Sequence, residues 1–207
     1  MRLLRRSLLI VLALLMVLLG TLVWLAGTES GLRLAWQYLV RPAVPELAAG
    51  EISGRLVDRI TVGELRYETG QLLFAARTLE LAWRPTRLFD GVLQIEALAG
   101  EGVRYEQRAP GSDEPPAFPA DIRLPLAIEL DGLSIRDIAL VTAPGAEPLT
   151  VDALELSGTY RDTHLELARL LLRRTDLDLE GTASLDTRDD YPLTGRLQWQ
   201  AQLPDQA

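Results

Sequence analysis

Ile60-Thr61-Val62-Gly63-Glu64-Leu65-Arg66-Tyr67-Glu68 and Thr78-Leu79-Glu80-Leu81-Ala82-Trp83-Arg84 decide how this chain folds. Apolar side chains recur at alternate positions through most of both runs, with Thr, Glu or Arg between them. An extended backbone sends successive side chains to opposite faces, so each run builds a strand with one apolar and one wet face. The same rhythm extends outward in both directions. It begins near residue 51, continues through 71–76, 92–98 and 103–106, and resumes at 124–130, 133–140, 149–151, 154–156 and 158–160. Thr69-Gly70, Phe89-Asp90-Gly91 and Pro144-Gly145 mark turns. Residues 164–174 are rich enough in Leu for a helix. Leu165/Leu167 and Leu177/Leu179 nevertheless alternate with acids, which predicts strands on both sides of Arg173-Arg174. Leu185, Leu193, Leu197 and Trp199 carry the alternation toward the C-terminus.

Gly63-Glu64-Leu65-Arg66-Tyr67-Glu68 returns, one residue longer, as Gly100-Glu101-Gly102-Val103-Arg104-Tyr105-Glu106. Such recurrence suggests stacking of like units. Residues 108–121 interrupt it with four Pro and little apolar content, the composition of a surface loop.

Ahead of the strands, residues 8–26 (LLIVLALLMVLLGTLVWLA) contain no charge. At helical rise that length crosses a hydrocarbon core about 30 Å thick. Arg2, Arg5 and Arg6 precede it and Glu29 is the first charge after it, so the N-terminus is expected in the cytoplasm and the remainder across the membrane. Trp24 and Leu25 spoil the small-residue pattern of a cleavage site, and Thr28 stands where a lipoprotein would need Cys. An uncleaved anchor is the expectation. Thr28-Glu29-Ser30 then offers capping chemistry for a short amphipathic helix over 28–42, stopped by Pro42. Trp36 and Tyr38 on it suit a membrane interface.

All 21 basic residues are Arg, and Cys is absent, so neither disulfides nor thiolate metal sites are available. The first 26 residues hold three Arg and no acid, leaving 18 Arg against 29 acids beyond the anchor. That balance argues against binding nucleic acid or an anionic membrane surface through bulk charge. No catalytic, cofactor or metal constellation stands out. His164 is the single His; Ser53, Ser134, Ser157 and Ser184 show no base in sequence. Asp113-Glu114 and Asp189-Asp190 lack the spacing of a calcium loop, and Gly100-Glu101-Gly102 lacks the helix of a phosphate cradle.

A closed sandwich would explain many short strands. A nearly uniform Leu, Ile and Val lining, with no terminating element, argues for a mainly β fold that is longer and more open, an elongated curved sheet forming a groove. Its lining would be Ile60, Val62, Leu79, Leu81, Val92, Leu93, Ile95, Leu126, Ile128, Leu130, Ile135, Leu154 and Leu156; from the residues alone a closed core of these side chains stands as the alternative, and the groove is preferred on the resemblance that follows.

Residues 2–26, Gly27-Thr28-Glu29-Ser30-Gly31, Ile52-Ser53-Gly54-Arg55-Leu56, Leu65-Arg66-Tyr67 and Leu79-Glu80-Leu81-Ala82-Trp83-Arg84-Pro85 with Leu88-Phe89-Asp90-Gly91-Val92-Leu93-Gln94-Ile95 resemble the N-terminal part of the TamB family, in the AsmA-like group. The resemblance implies a single-pass bacterial inner-membrane protein whose taco-like β-groove lies in the periplasm. It implies phospholipid as cargo, a role in outer-membrane biogenesis, and an outer-membrane TamA-like partner engaged through a C-terminal region absent from this sequence. Scaffolding of outer-membrane protein assembly is the alternative role it implies. The resulting divisions are 1–27 (cytoplasmic start and anchor), 28–42 (helix), 49–107 (first groove section), 108–121 (loop) and 122–207 (second section). About a dozen strands at 4.8 Å spacing reach only some 60 Å, so the chain is expected to be a fragment or the first part of a split gene.

Overall fold

The computed structural model describes residues 16–17, 20–21, 23–109, 124–188 and 191–202. Within the expected anchor, 16–17, 20–21 and 23–26 are helical; the rest of it lies outside the described residues, as do most of the 108–121 loop, Asp113-Glu114 and Asp189-Asp190. No described helix is long and apolar enough to cross a membrane.

Helix α1 (Glu29–Ala35) starts where the capping chemistry places it. Thr28 is the N-cap, and its hydroxyl accepts the Gly31 N–H at 3.1 Å. Pro42 does not end the helical path. A π-helical turn (Trp36–Val40) leads into α2 (Arg41–Ala43), and the Arg41 N–H reaches back five residues to the Trp36 carbonyl. Proline cannot donate to the preceding turn and its ring crowds that turn's carbonyl; widening the turn relieves the crowding without unwinding the chain.

The strands are β1 (Leu47–Ala48), β2 (Glu51–Gly54), β3 (Arg59–Glu68), β4 (Leu72–Arg84), β5 (Val92–Gln107), β6 (Ala127–Val141), β7 (Leu149–Arg161), β8 (His164–Arg174), β9 (Leu177–Asp186) and β10 (Leu193–Ala201). They form one open sheet. β1 and β2 share the outer edge of β3, and the order then follows the chain to β10. Every pairing is antiparallel except β5 with β6, which is parallel. The groove sections expected on either side of the loop are thus joined directly, strand to strand. Strands read as separate at 71–76 and 78–84, or 92–98 and 103–106, are single long strands.

Two transverse rows of irregularity explain both the false breaks and the curvature. One passes through Glu64, Gly102 and Asp137, which all adopt left-handed backbones (φ 50°, 62° and 53°) and sit at the same level on β3, β5 and β6. The interruption between β1 and β2 lies on this row, where Gly50 donates to the Gly63 carbonyl at 3.0 Å. The second row follows register shifts at Ala82/Trp83, Leu130/Leu133, Ser157/Gly158 and Leu167/Leu170. A bulge bends and overtwists its strand, so bulges aligned across neighbours bend the sheet as a whole.

The recurrent segments acquire a meaning here. Arg66 and Arg104 both pair with Ala75, Tyr67 and Tyr105 with Phe74, and Glu68 and Glu106 with Leu73. The two copies therefore flank β4 in matching register. Gly102 supplies the second copy's left-handed kink at the level where the first copy uses Glu64.

Candidate functional site

Cross-strand register assembles the apolar positions into continuous rows. Ile60, Leu81, Leu98, Leu133, Leu156, Leu170, Gly181 and Leu197 stand opposite one another in turn from β3 to β10. Two residues along, Ile52, Val62, Leu79, Gly100, Ile135, Leu154, Leu172, Leu179 and Trp199 form a second row. Trp83, Ile95, Leu130, Gly158, Leu167 and Ala183 form a third, and Leu93, Ile128, Tyr160, Leu165, Leu185 and Leu193 a fourth. Directly paired residues share a face, so these rows constitute one apolar surface.

Eleven of the thirteen expected lining residues lie in these rows. Val92 does not: it pairs with Ala127, one step out of phase with Leu93, and is buried on the opposite side. Leu126 precedes β6 in a bend. The rows also contain Leu98, Leu133, Leu170, Leu172, Leu179, Tyr160 and Trp199, which sequence reading left out of the lining. Their alternation was visible, but only register shows which alternating set joins which.

No layer covers this face among the described residues. Substantial contacts run between sheet neighbours; the exceptions are within the helices, of α1 with β2, and of the Pro85–Asp90 turn with β5. No described side chain is fully buried in the manner of a closed core, and most row members are half-buried. Exposure rises toward the last strand, to 67 % at Leu193 and 66 % at Trp199.

The reverse face is polar. Arg59–Glu80 (2.8 Å), Arg77–Glu101 (2.7 Å) and Arg169–Glu155 (3.3 Å) bridge neighbouring strands across it. Exposed pairs of this kind contribute about 0–1 kcal/mol each, so they favour register and solubility more than stability.

At the far ends of β3 and β5, Arg108 contacts Glu68 (2.5 Å) and Glu106 (3.4 Å), while Arg66 and Arg104 hold the same two carboxylates. The Arg108 and Arg66 hydrogen bonds hold the Glu68 carboxyl below its ordinary range against a smaller desolvation effect; Arg104 chiefly does the same for Glu106. Arg188 strongly depresses Asp186 likewise. A carboxyl depressed in the fold contributes stability above its ordinary value, and that contribution is lost as pH falls through the folded-state value. Thermal midpoints are therefore expected to drop as pH falls below about 4.5, the ordinary Glu value. Arg108→Gln should make that drop shallower, as a pH series of melting curves would show. Solvent exposure keeps the effect small.

Ser184, which has no base near it in sequence, meets His164 in the fold, with Oγ 3.0 Å from Nε2. The pair is a cross-strand contact between β8 and β9 on the polar face, where His164 is exposed. A cleft of about 670 Å³ lies elsewhere, between Arg33, Trp36 and Arg41 and the β1–β2 edge. Among the described residues, no His, Asp and Glu cluster could hold a metal ion.

Comparison with protein families yields a match to the model described as TamB, N-terminal domain, over residues 18–143 and 106–207. No curated protein matches the chain.

Proposed function

Because the chain belongs to the TamB family through that N-terminal domain, we propose that its apolar face is a conduit for phospholipid acyl chains, held at the periplasmic side of the inner membrane by residues 8–26. In this reading the protein moves phospholipid between inner and outer membrane and supports outer-membrane biogenesis without enzymatic chemistry or a cofactor. A TamA-like outer-membrane protein is the partner this reading implies.

The observation that carries the proposal is the uncovered face, continuous across the strands of the sheet. Its physics suits transport. Fully burying a methylene is worth about 0.8 kcal/mol, and an open face covers only one side of an acyl chain, so each methylene gains about half of that. Retention then grows with contact length, and no polar anchor has to be broken at each step. Along the longest row, eight steps of about 4.8 Å give a rail of about 38 Å, longer than one extended acyl chain.

The experiment uses a photo-reactive phenylalanine analogue placed in the whole chain in cells, at Leu154 or at its neighbour Glu155. These positions face opposite sides of β7. Phospholipid captured from 154 and not from 155 is the expected result. Equal capture at both positions, or none at 154, would sink the conduit.

A second reading has its own support in β10, an edge strand exposed along its full length and carrying Leu197 (58 %) and Trp199 (66 %). Such an edge can accept a client strand by backbone pairing, as a scaffold for outer-membrane protein assembly would. Protein adducts in place of lipid at Leu154 would favour this reading.

A further inference from the structure

Three hydrogen bonds connect the end of the N-terminal helical segment to one corner of the sheet. The Val57 N–H donates to the Ala26 carbonyl at 3.2 Å, placing the β2–β3 turn against the last residues of the apolar segment. From that turn, the Leu56 carbonyl accepts the Trp83 indole N–H at 2.8 Å, and the Asp58 carbonyl accepts the Trp83 backbone N–H at 3.1 Å. Trp83 stands two residues before the 3-10 turn Pro85–Asp90, which Gly91 closes in a left-handed conformation (φ 72°).

That turn presents an unusual tip. Phe89 is 93 % exposed, beside Leu88, while Leu56 and Val57 are exposed on the adjoining turn. Arg55, Arg59, Arg84 and Arg87 flank the two tips, and each also has an acidic partner. An aromatic side chain left in water on a turn gains nothing from the fold itself. Four apolar side chains at one corner, near Arg–carboxylate pairs in sequence and tied to the end of an uncharged helical segment, match an apolar edge entering lipid.

We propose that the Pro85–Asp90 turn docks into the headgroup–acyl boundary of the bilayer that holds residues 8–26, with Phe89 as the inserted side chain. The proposal rests on the anchor reading above and deepens it. Leu93 and Ile95 follow directly on β5 and belong to the apolar rows. Docking there brings the rows to the lipid surface, and acyl chains enter them without crossing open water.

The absence of Cys makes the test direct. In the whole chain reconstituted into vesicles of phosphatidylcholine and phosphatidylglycerol, Phe89→Cys carries an environment-sensitive fluorophore. Ala146→Cys, in the turn after β6 at the other ends of the strands, carries the same probe. The expected result is blue-shifted emission at 89, largely lost with acyl-chain nitroxide lipid and insensitive to iodide. The probe at 146 should behave oppositely. Iodide quenching at 89 equal to that at 146 overturns the docking. So does a chain that fails to associate with the vesicles, which removes the anchor as well. Val57→Cys repeats the measurement should replacement of Phe89 itself displace the turn. Photo-capture at Leu154 separates the two claims: lipid captured there with a water-exposed probe at 89 sinks the docking alone, and an inserted probe without capture sinks the conduit alone.

Discussion

Ile128→Glu is expected to leave the protein folded and to abolish phospholipid capture at Leu154. Ile128 lies in the apolar row between Leu93 and Tyr160 and is half-buried. Fully burying an Ile side chain is worth about 1.5–3 kcal/mol, so losing the partly exposed Ile128 costs about 1–2.5 kcal/mol, and the new carboxylate keeps its water. A loss of that size lowers the melting midpoint by about 2–10 °C in a chain this long. An acyl chain in the row meets a hydrated charge, and the rail is interrupted. Ile138→Glu, ten residues along the same strand, is the contrasting variant. Ile138 is only 8 % exposed and stands between Val103 (7 %) and Val151 (6 %). An unpaired charge there costs about 3–5 kcal/mol and should unfold this part of the sheet. If Ile128→Glu unfolds the chain as thoroughly as Ile138→Glu, the face is an ordinary core and the conduit is wrong.

Gly54→Val is expected to be strongly destabilising at the corner that receives the N-terminal helix. Gly54 has φ 104°, and a Cβ there would lie 2.1 Å from the Arg59 carbonyl oxygen. That oxygen also accepts the Arg55 N–H at 2.7 Å to close the turn. Backbone strain and the clash together should cost about 2–5 kcal/mol, on the order of 10 °C in melting midpoint. Hydrogen exchange would locate the damage, with faster exchange at Arg55, Val57 and Trp83, whose N–H groups the turn engages. Gly70→Val is the control, since its added Cβ meets nothing within 4 Å and its backbone is not left-handed. Equal melting of the two variants would remove Gly54 from any structural role. The Ile52-Ser53-Gly54-Arg55-Leu56 motif thus has a physical content: its glycine lets β2 close onto β3 at the turn whose Val57 meets the helix end.

Local pattern was enough to find the strands, because period-two alternation is dictated by the backbone of each strand alone. It could not show how strands join. Gly100-Glu101-Gly102 looks like a break, yet a left-handed residue absorbs one position and lets β5 continue for 16 residues. Direction is equally invisible, since a strand reads the same whether its neighbour runs with it or against it, and the parallel β5–β6 pairing had no local sign. Val92-Leu93 shows the phase problem: two adjacent apolar residues satisfy either face, and register with Ala127 and Ile128 decides between them. The His164–Ser184 contact depends on the pairing of β8 with β9 and was hidden for the same reason. Pro42 reads as a stop because proline usually is one, and the π turn that accommodates it has no simple composition.

An open sheet in which each strand rests only on its neighbours has a further property. A closed barrel must change tilt and diameter when a strand is added, so its strand number is locked to its shape. Here a hairpin added beyond β10, or inserted between two neighbours, would leave two free edges as before and the same width of apolar face. Only the distance from one edge to the other would grow. For such an architecture, length is a quantity that gene duplication can adjust in increments of about 10 Å per hairpin without redesigning what is already folded.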